Sequence, residues 1–415
     1  MTTNGNAGYA KSGQIITLTI TVSETVTGLV CTIDGEATVM GGSGTGWTSA
    51  LTISGDETQQ NTVFSCASHV DAAGNAGVTD TTANSGAVIV DYTAPTSTSA
   101  VIATSGTGNA NDADVVTLTL NPSETVGTPT CTWTDGSGAM ADTSVTYGTT
   151  GDDSHTAAVT VANADEDGAV GFSCTYSDLA GNAIASAITS TSDSSSVTID
   201  NTHPTLTAVG IAVDNTGNAN DGDDITLTFT ASETVGTPTC TFTSGGAAMA
   251  DSSITVANPS GNQWTCVADV ADADTDGTVA FSIAFTDSAG NAGTAVSAVT
   301  DSSAVTVDNT HPTLTAVGIA VDNTGNANNG DDVTLTFTAS ETIGTPTCTF
   351  TSGGAAMADS SITVANPSGN QWTCVADVAD ADTDGAVAFS IAFSDPTGNA
   401  GTAVTTVTDS SSAVS

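Results

Sequence analysis

The sequence predicts an all-β chain of tandem sandwich domains, on three observations: a long internal repeat, strand-period alternation in every copy, and Gly, Asn, Asp or Pro between the alternating runs. The repeat is the plainest. The stretch DNTHPTLTAVGIAVDNTGNAN that begins at Asp200 returns at Asp308, 108 residues later, and continues with few changes. Earlier copies are looser: VDYTAP at Val90 matches VDNTHP at Val307, and SETVGTPTCTWT from Ser123 matches SETVGTPTCTFT from Ser232. A period of this size is a whole domain strung in tandem rather than a solenoid unit. It divides the chain into four repeats, 1–91, 92–200, 201–308 and 309–415. Repeat 1 is expected to lack its first strand and repeat 4 to be truncated at its C-terminus, so both ends read as cut from a longer array.

Each element is legible in repeat 3. TLTAVGIAV opens the repeat, and DDITLTFTAS alternates aliphatic or aromatic residues with Thr. PTCTFT, SITVAN, WTCVADV, VAFSIAF and SAVTV follow, all rich in Val, Ile, Thr and Phe with period two. No segment carries a 3.6-residue stripe. Seven short strands in about 108 residues suit an immunoglobulin-like β-sandwich. The inward positions of the sixth strand would be Val279, Phe281, Ile283 and Phe285, faced by Trp264 and Cys266 from the fifth. Each copy holds one Trp (Trp47, Trp133, Trp264, Trp372), read as a core residue.

The eight cysteines fall two to a copy. The first keeps a fixed position (Cys31, Cys131, Cys240, Cys348), while the second occupies one of two places. It lies in F-S-C in copies 1 and 2 (Cys66, Cys174) and in W-T-C in copies 3 and 4 (Cys266, Cys374). Where the later place is Cys the earlier is Ser49 or Ala157, and where the earlier is Cys the later is Ile283 or Ile391. One intradomain disulfide per repeat would produce this if either place can reach the same partner across a small core; free buried cysteine is the alternative. Disulfides imply an oxidising compartment, hence an extracellular or cell-surface location.

Charge excludes whole classes of partner. Lys11 is the one basic side chain against 45 acidic ones, a net charge of -44. Nucleic acid and anionic membrane surfaces need Lys and Arg to displace counterions, so neither is a partner. No apolar run is long enough for a membrane span. Seven of the acids are Glu, and four of those (Glu24, Glu124, Glu233, Glu341) fill one slot in the motif S-E-T.

The D-x-T-x-P linker (Asp91, Asp200, Asp308), the S-E-T motif and D-x-x-G-N near the end of each copy together resemble the bacterial immunoglobulin-like, cadherin-like repeats of large extracellular adhesins and surface-layer or filament proteins. The resemblance implies junctions stiffened by calcium. The residues support the same idea separately. In such a sandwich one pole gathers the incoming linker (Asp308, Asn309), Glu341, and the loop with Asp395 and Asn399. In the copy before, the corresponding set is Asp200, Asn201, Glu233, Asp287 and Asn291. The far pole of the preceding repeat gathers N-A-N-D-x-D loops (Asp112 and Asp114; Asp221 and Asp223) and the run D-x-D-x-D-G (Asp272, Asp274, Asp276), with Asp165 and Asp167 as its weaker form. Carboxylate and amide oxygens without nitrogen or sulfur donors suit calcium.

The D-x-D-x-D-G run is similar to the first half of an EF-hand loop, but its twelfth position is Ile283 rather than Glu, so any ion must find further ligands elsewhere; a plain acidic turn is the alternative. D-x-x-G-N reads equally as a hairpin turn or as a ligand. Lys11 intrudes into the corresponding loop of copy 1, whose junction is expected to bind weakly or not at all.

Enzymatic readings find no recurring Ser/His/Asp set, phosphate loop or Cys/His metal spacing. Two readings remain. One is a non-enzymatic stalk, surface layer or filament that self-associates into a polymer or array; the other is an adhesive module recognising glycan or a surface protein through its loops. Copies 3 and 4 keep their loops almost unchanged, which favours the first.

Overall fold

The computed structural model describes residues 1–150, 153–250, 253–358, 361–409 and 411, and their regular structure is all strand. The closing SSSAVS, on which the expected truncation of repeat 4 rests, lies outside the described residues apart from Ser411. The chain forms two compact units, residues 1–202 with 288–291, and residues 203–287 with 292–415.

In the second unit, repeat 3 pairs Leu206–Val213, Asp224–Ala231, Gln263–Asp269 and Thr255–Ser260, in that order, in one sheet. The facing sheet is ordered Ala247–Ala248, Thr239–Ser244, Gly277–Ala284, Thr306–Val307. All seven expected strands are present, and Ala247–Ala248 is a short addition at an edge. Repeat 4 repeats the first sheet with Leu314–Val321, Asp332–Ala339, Gln371–Asp377 and Thr363–Ser368. Its second sheet holds Ala355–Ala356, Thr347–Ser352 and Val387–Ala392.

The alternation drives this packing. In Asp224–Ala231, Ile225, Leu227, Phe229 and Ala231 are buried while the threonines between them are not. Val279, Phe281, Ile283 and Phe285 are all buried, as is Cys266; Trp264 is half-buried at the core's margin. The first strand breaks register between Thr207 and Gly210, where Ala208 takes a positive φ of 52°. Within that break the Val209 carbonyl accepts the Thr300 amide at 2.8 Å.

In the first unit, repeat 2 has a sheet of Ser97–Thr104, Val115–Pro122, His155–Thr160 and Thr146–Thr149, and a Thr130–Thr134/Gly171–Thr175 pair. Repeat 1 has Thr2–Thr3, Ile15–Thr21, Gly46–Thr52 and Val39–Ser43 in one sheet and Glu36–Ala37, Val30–Ile33 and Phe64–Ala67 in the other. Thr2 and Thr3 pair with Thr17 and Ile16 there, as Ala103 and Thr104 pair with Thr117 and Val116 in repeat 2.

Each repeat closes one disulfide: Cys31–Cys66, Cys131–Cys174, Cys240–Cys266 and Cys348–Cys374. In repeats 1 and 2 the partners sit opposite each other within one sheet, with Cα atoms 4.1 Å apart. In repeats 3 and 4 they join strands of the two facing sheets, at 6.4 Å, and Ile283 or Ile391 takes the opposite place.

Candidate junction sites

In the first unit the linker after repeat 1 is held by backbone on one side and a side-chain amide on the other. The Asp91 amide donates to the Ala10 carbonyl at 2.9 Å, and Asn182 Nδ2 donates to the Asp91 carbonyl at 3.0 Å. Asn182 belongs to D-x-x-G-N, which proves to be a turn: Asp178 Oδ1 accepts the Asn182 amide at 2.8 Å and Oδ2 accepts its Nδ2 at 2.8 Å. The same motif thus folds its own loop and clamps the linker. Around that clamp the carboxylates of Asp91, Glu124 and Asp178 each bring an oxygen within 4.8 Å of the others. Burial, then the charges of Asp91 and Asp178, raise the Glu124 carboxyl above its ordinary value.

Sequence reasoning left Asp91, Glu124, Asp178 and Asn182 out of its candidates because Lys11 pointed the other way. The signal was present, since D-x-T-x-P, S-E-T and D-x-x-G-N all occur there. Lys11 Nζ donates to the Gly181 carbonyl and Asn6 Nδ2 donates to that of Leu179 at 2.9 Å, so both hold the turn by its backbone.

At the end of repeat 2, the Asp200 amide donates to the Ala110 carbonyl at 2.9 Å, and Asn291 Nδ2 donates to the Asp200 carbonyl at 2.7 Å. Asn201 Nδ2 donates to the carbonyls of Ala162 and Asp165 at 3.0 and 2.9 Å. Asp167 accepts the Asn201 amide at 2.6 Å and the Thr202 hydroxyl at 2.5 Å. Asp112 is exposed, whereas Asp114 closes its own loop by accepting the Asn111 amide at 3.1 Å.

The second unit repeats the arrangement between repeats 3 and 4. Asn399 Nδ2 donates to the Asp308 carbonyl at 2.7 Å and to Asp395 Oδ2 at 2.9 Å. Asp395 Oδ1 accepts the amides of Gly398 and Asn399 at 2.7 and 2.9 Å. Burial and then the charges of Asp395, Asp308 and Asp276 raise the Glu341 carboxyl, whose Oε1 is buried with no hydrogen-bond partner among the described residues. Asn309 Nδ2 spans the carbonyls of Ala271 and Asp274 at 2.8 and 3.2 Å, leaving its Oδ1 buried and unpartnered among the described residues. Glu233 and Asp287 occupy the positions of Glu341 and Asp395 in repeat 3, and Asp287 is buried.

The D-x-D-x-D-G run does not turn its three carboxylates to one point. Asp274 is buried and accepts the amides of Ala250 and Ala271 at 2.6 and 3.0 Å, a turn lock that Asp165 repeats with Ala141 and Ala162 at 2.6 and 2.9 Å. Asp276 accepts the Asn309 amide at 2.6 Å and the Thr310 hydroxyl. The exposed Asp272 donates its amide to Asp221 Oδ1 at 2.8 Å and meets His311 Nε2 at 3.4 Å. Asp223 accepts the Asn220 amide at 2.8 Å. The closing glycine serves a chain crossing: a Cβ on Gly277, at φ +139°, would lie 2.8 Å from the Gly245 Cα. His203 and His311 share a role that their sequence context did not suggest, each Nδ1 meeting the carbonyl of the D-x-x-G-N-A alanine at 2.9 and 3.0 Å.

What converges at the linkers is an oxygen-only, negatively charged set built on turns that are themselves hydrogen-bonded. Hard divalent cations are the chemistry such a set can hold.

No family model matches this sequence, and no curated protein matches it. Solved structures similar to it are tandem immunoglobulin-domain chains. A variant of titin domains I67–I69 is 11% identical, at 76% of this chain and 98% of that one, with a TM-score of 0.33. A tetra-tandem repeat from the extending region of a large adhesion protein is 17% identical over 98% and 100%, TM-score 0.27. The N-terminal eight immunoglobulin domains of Down syndrome cell adhesion molecule are 12% identical over 98% and 54%, TM-score 0.25.

Proposed function

We propose that the chain is a non-enzymatic extracellular structural repeat protein, part of a stalk, surface layer or filament, whose junctions between repeats are stiffened by calcium. The observation that carries this reading is the set Asp91, Glu124 and Asp178, three carboxylates within 4.8 Å of one another beside a clamped linker carbonyl. Like charges gathered so closely repel, and a divalent cation would convert that cost into a bond between two sandwiches. The buried, unpartnered oxygens of Glu341 and Asn309 support the same reading in the second unit. In each set the linker aspartate follows one repeat while the Glu and the turn Asp belong to the next, so a shared ion would oppose bending where the repeats meet. Disulfides in all four repeats suit an oxidising compartment, and the near-identity of repeats 3 and 4 suits spacing or polymerisation better than diversified recognition.

Calcium titrated calorimetrically into chelator-stripped chain should release or absorb heat saturably, raise the melting temperature and stiffen the particle seen by small-angle scattering. Glu124→Gln with Asp178→Asn should remove one site's heat. Unchanged scattering and melting on adding calcium would overturn the reading.

A further inference from the structure

The glycine of the D-x-x-G-N turn in repeats 2, 3 and 4 meets one residue of the repeat before it. A Cβ added to Gly290 would lie 3.3 Å from Asn111 Nδ2, and one on Gly398 3.2 Å from Asn220 Nδ2; on Gly181 it would lie 3.4 Å from Lys11 Nζ. These three residues hold one place in their loops, because the third residue on closes each loop in the same way. Gln14 Oε1 accepts the Lys11 amide at 3.0 Å, Asp114 Oδ2 that of Asn111 at 3.1 Å and Asp223 Oδ2 that of Asn220 at 2.8 Å. What differs is charge. Residues 11–14 hold Lys11 and no acid, a sum of +1, whereas 111–114 hold Asp112 and Asp114 and 220–223 hold Asp221 and Asp223, a sum of -2 in each.

The bonds differ with the charge. Asn111 and Asn220 donate Nδ2 to the Oδ1 atoms of Asn291 and Asn399 at 3.3 and 3.4 Å, long contacts between neutral amides. Lys11 donates an ammonium N–H to the Gly181 carbonyl, and Asn6 Nδ2 reaches the Leu179 carbonyl of the same turn at 2.9 Å. A hydrogen bond from a charged donor is about twice as strong as one between neutral groups. The turn so held is the one that carries Asp178, whose carboxylate stands with those of Asp91 and Glu124. Lys11 is half-buried, so solvent and salt screen its charge less than that of a free surface lysine.

We propose, resting on the calcium reading above, that Lys11 is a tethered cation with two effects on the junction between repeats 1 and 2. It holds the two repeats together when calcium is absent, and it lowers the calcium affinity of the Asp91, Glu124 and Asp178 site below that of the Asp308, Glu341 and Asp395 site between repeats 3 and 4. A divalent ion entering the first site meets a fixed positive charge that the other lacks, since Lys11 is the one Lys or Arg in the chain. Repulsion between a unit charge and a divalent ion across a few side chains weakens binding by roughly tenfold. The first junction is thus closed at all times, whereas the junction between repeats 3 and 4 closes in answer to the ion.

The test is calcium calorimetry on the full chain, with Glu124→Gln and Asp178→Asn marking the heat of the first site. Lys11→Asn, which installs the residue of the sister loops, should tighten that site about tenfold and leave the others unchanged. The gain should shrink in high salt, which screens charge, and Lys11→Arg should match the parent. The clasp is read separately in chelator, by distances between spin labels on unnatural amino acids. Labels at the exposed Val39 and Thr149 of repeats 1 and 2 should give a narrow distribution that Lys11→Asn broadens. Labels at the exposed Thr255 and Thr363 of repeats 3 and 4 should give a broad one that calcium narrows. A first site whose affinity Lys11→Asn leaves unchanged, or a Val39–Thr149 distribution that it leaves narrow, would overturn the proposal while the calcium reading stands. Absence of calcium heat at every site would overturn both.

Discussion

Repeats 1 and 2 run their disulfide along a sheet, whereas repeats 3 and 4 run theirs across the core. In repeat 2 Cys131 bonds the residue opposite it, Cys174; Ala157 stands at the third corner, and Trp133 packs on Phe172 with ring centroids 6.2 Å apart. In repeat 3 Cys240 reaches over to Cys266, Ile283 fills the opposite place, and Phe242 stands where repeat 2 has Trp133. Moving one sulfur across the core is accompanied by a larger residue at one corner and a smaller aromatic at another. Interiors packed at crystal-like density require such trades. Between repeats 2 and 3 the change of bond direction thus goes with a change of side-chain volume at two corners.

The largest effect is expected from removing a bond. Cys266→Ala should cost repeat 3 about 2–5 kcal/mol in denaturant unfolding. Adding Ile283→Cys should give Cys240 a new partner on the strand beside it, as in repeat 2, and recover part of the loss; a free thiol count that stays at two would show the positions are not interchangeable. Next in size is the reciprocal exchange in repeat 2, Ala157→Cys with Cys174→Ile. Overpacking against Trp133 should cost about 1–3 kcal/mol, and Trp133→Phe should relieve it. A double variant as stable as the parent would remove volume as the cause.

The smallest effect is on pH. Asp224 opposes Asp269 and Asp332 opposes Asp377 across paired strands, where repeats 1 and 2 have Ile15 opposite Thr52 and Val115 opposite Thr160. The hydrogen bond from its partner Asp, then burial, raises the carboxyls of Asp224 and Asp332. A carboxyl raised in the folded chain holds its proton more firmly there than in the unfolded one. Its stabilisation is present below the ordinary carboxylate value and lost as pH rises through the folded pKa. In chelator, the second unit should therefore gain melting temperature on acidification from neutrality towards that window, by a few degrees at most. Asp269→Thr with Asp377→Thr should shrink the gain, and an unchanged profile would place it elsewhere.

Much of this was legible in the sequence. The all-strand class, the seven strands of repeat 3 and one disulfide per repeat follow from alternation and cysteine placement, because a strand's inward face is determined by every second residue. The direction of the disulfide was not legible, since Cys66 and Cys266 are both inward positions on strands near the first cysteine. The hydrogen bonding of the D-x-D-x-D-G run was not legible for a related reason. Its spacing says nothing of what passes beneath the loop, and there Asp274 turns inward to lock two amides while Gly277 makes room for Gly245. At the first junction the three motifs bring Asp91, Glu124 and Asp178 together, a proximity that the presence of Lys11 gave no reason to expect.

The staples also determine how much chain a pulled repeat can yield. Backbone between bonded cysteines stays out of the line of force, and that loop spans 35 and 43 residues in repeats 1 and 2 but 26 in repeats 3 and 4. At full extension the withheld slack is roughly 120–150 Å in each of the first two and roughly 90 Å in each of the others. An oxidised strand of this material would go taut early, a reduced one late, and its amino-terminal half keeps the larger reserve.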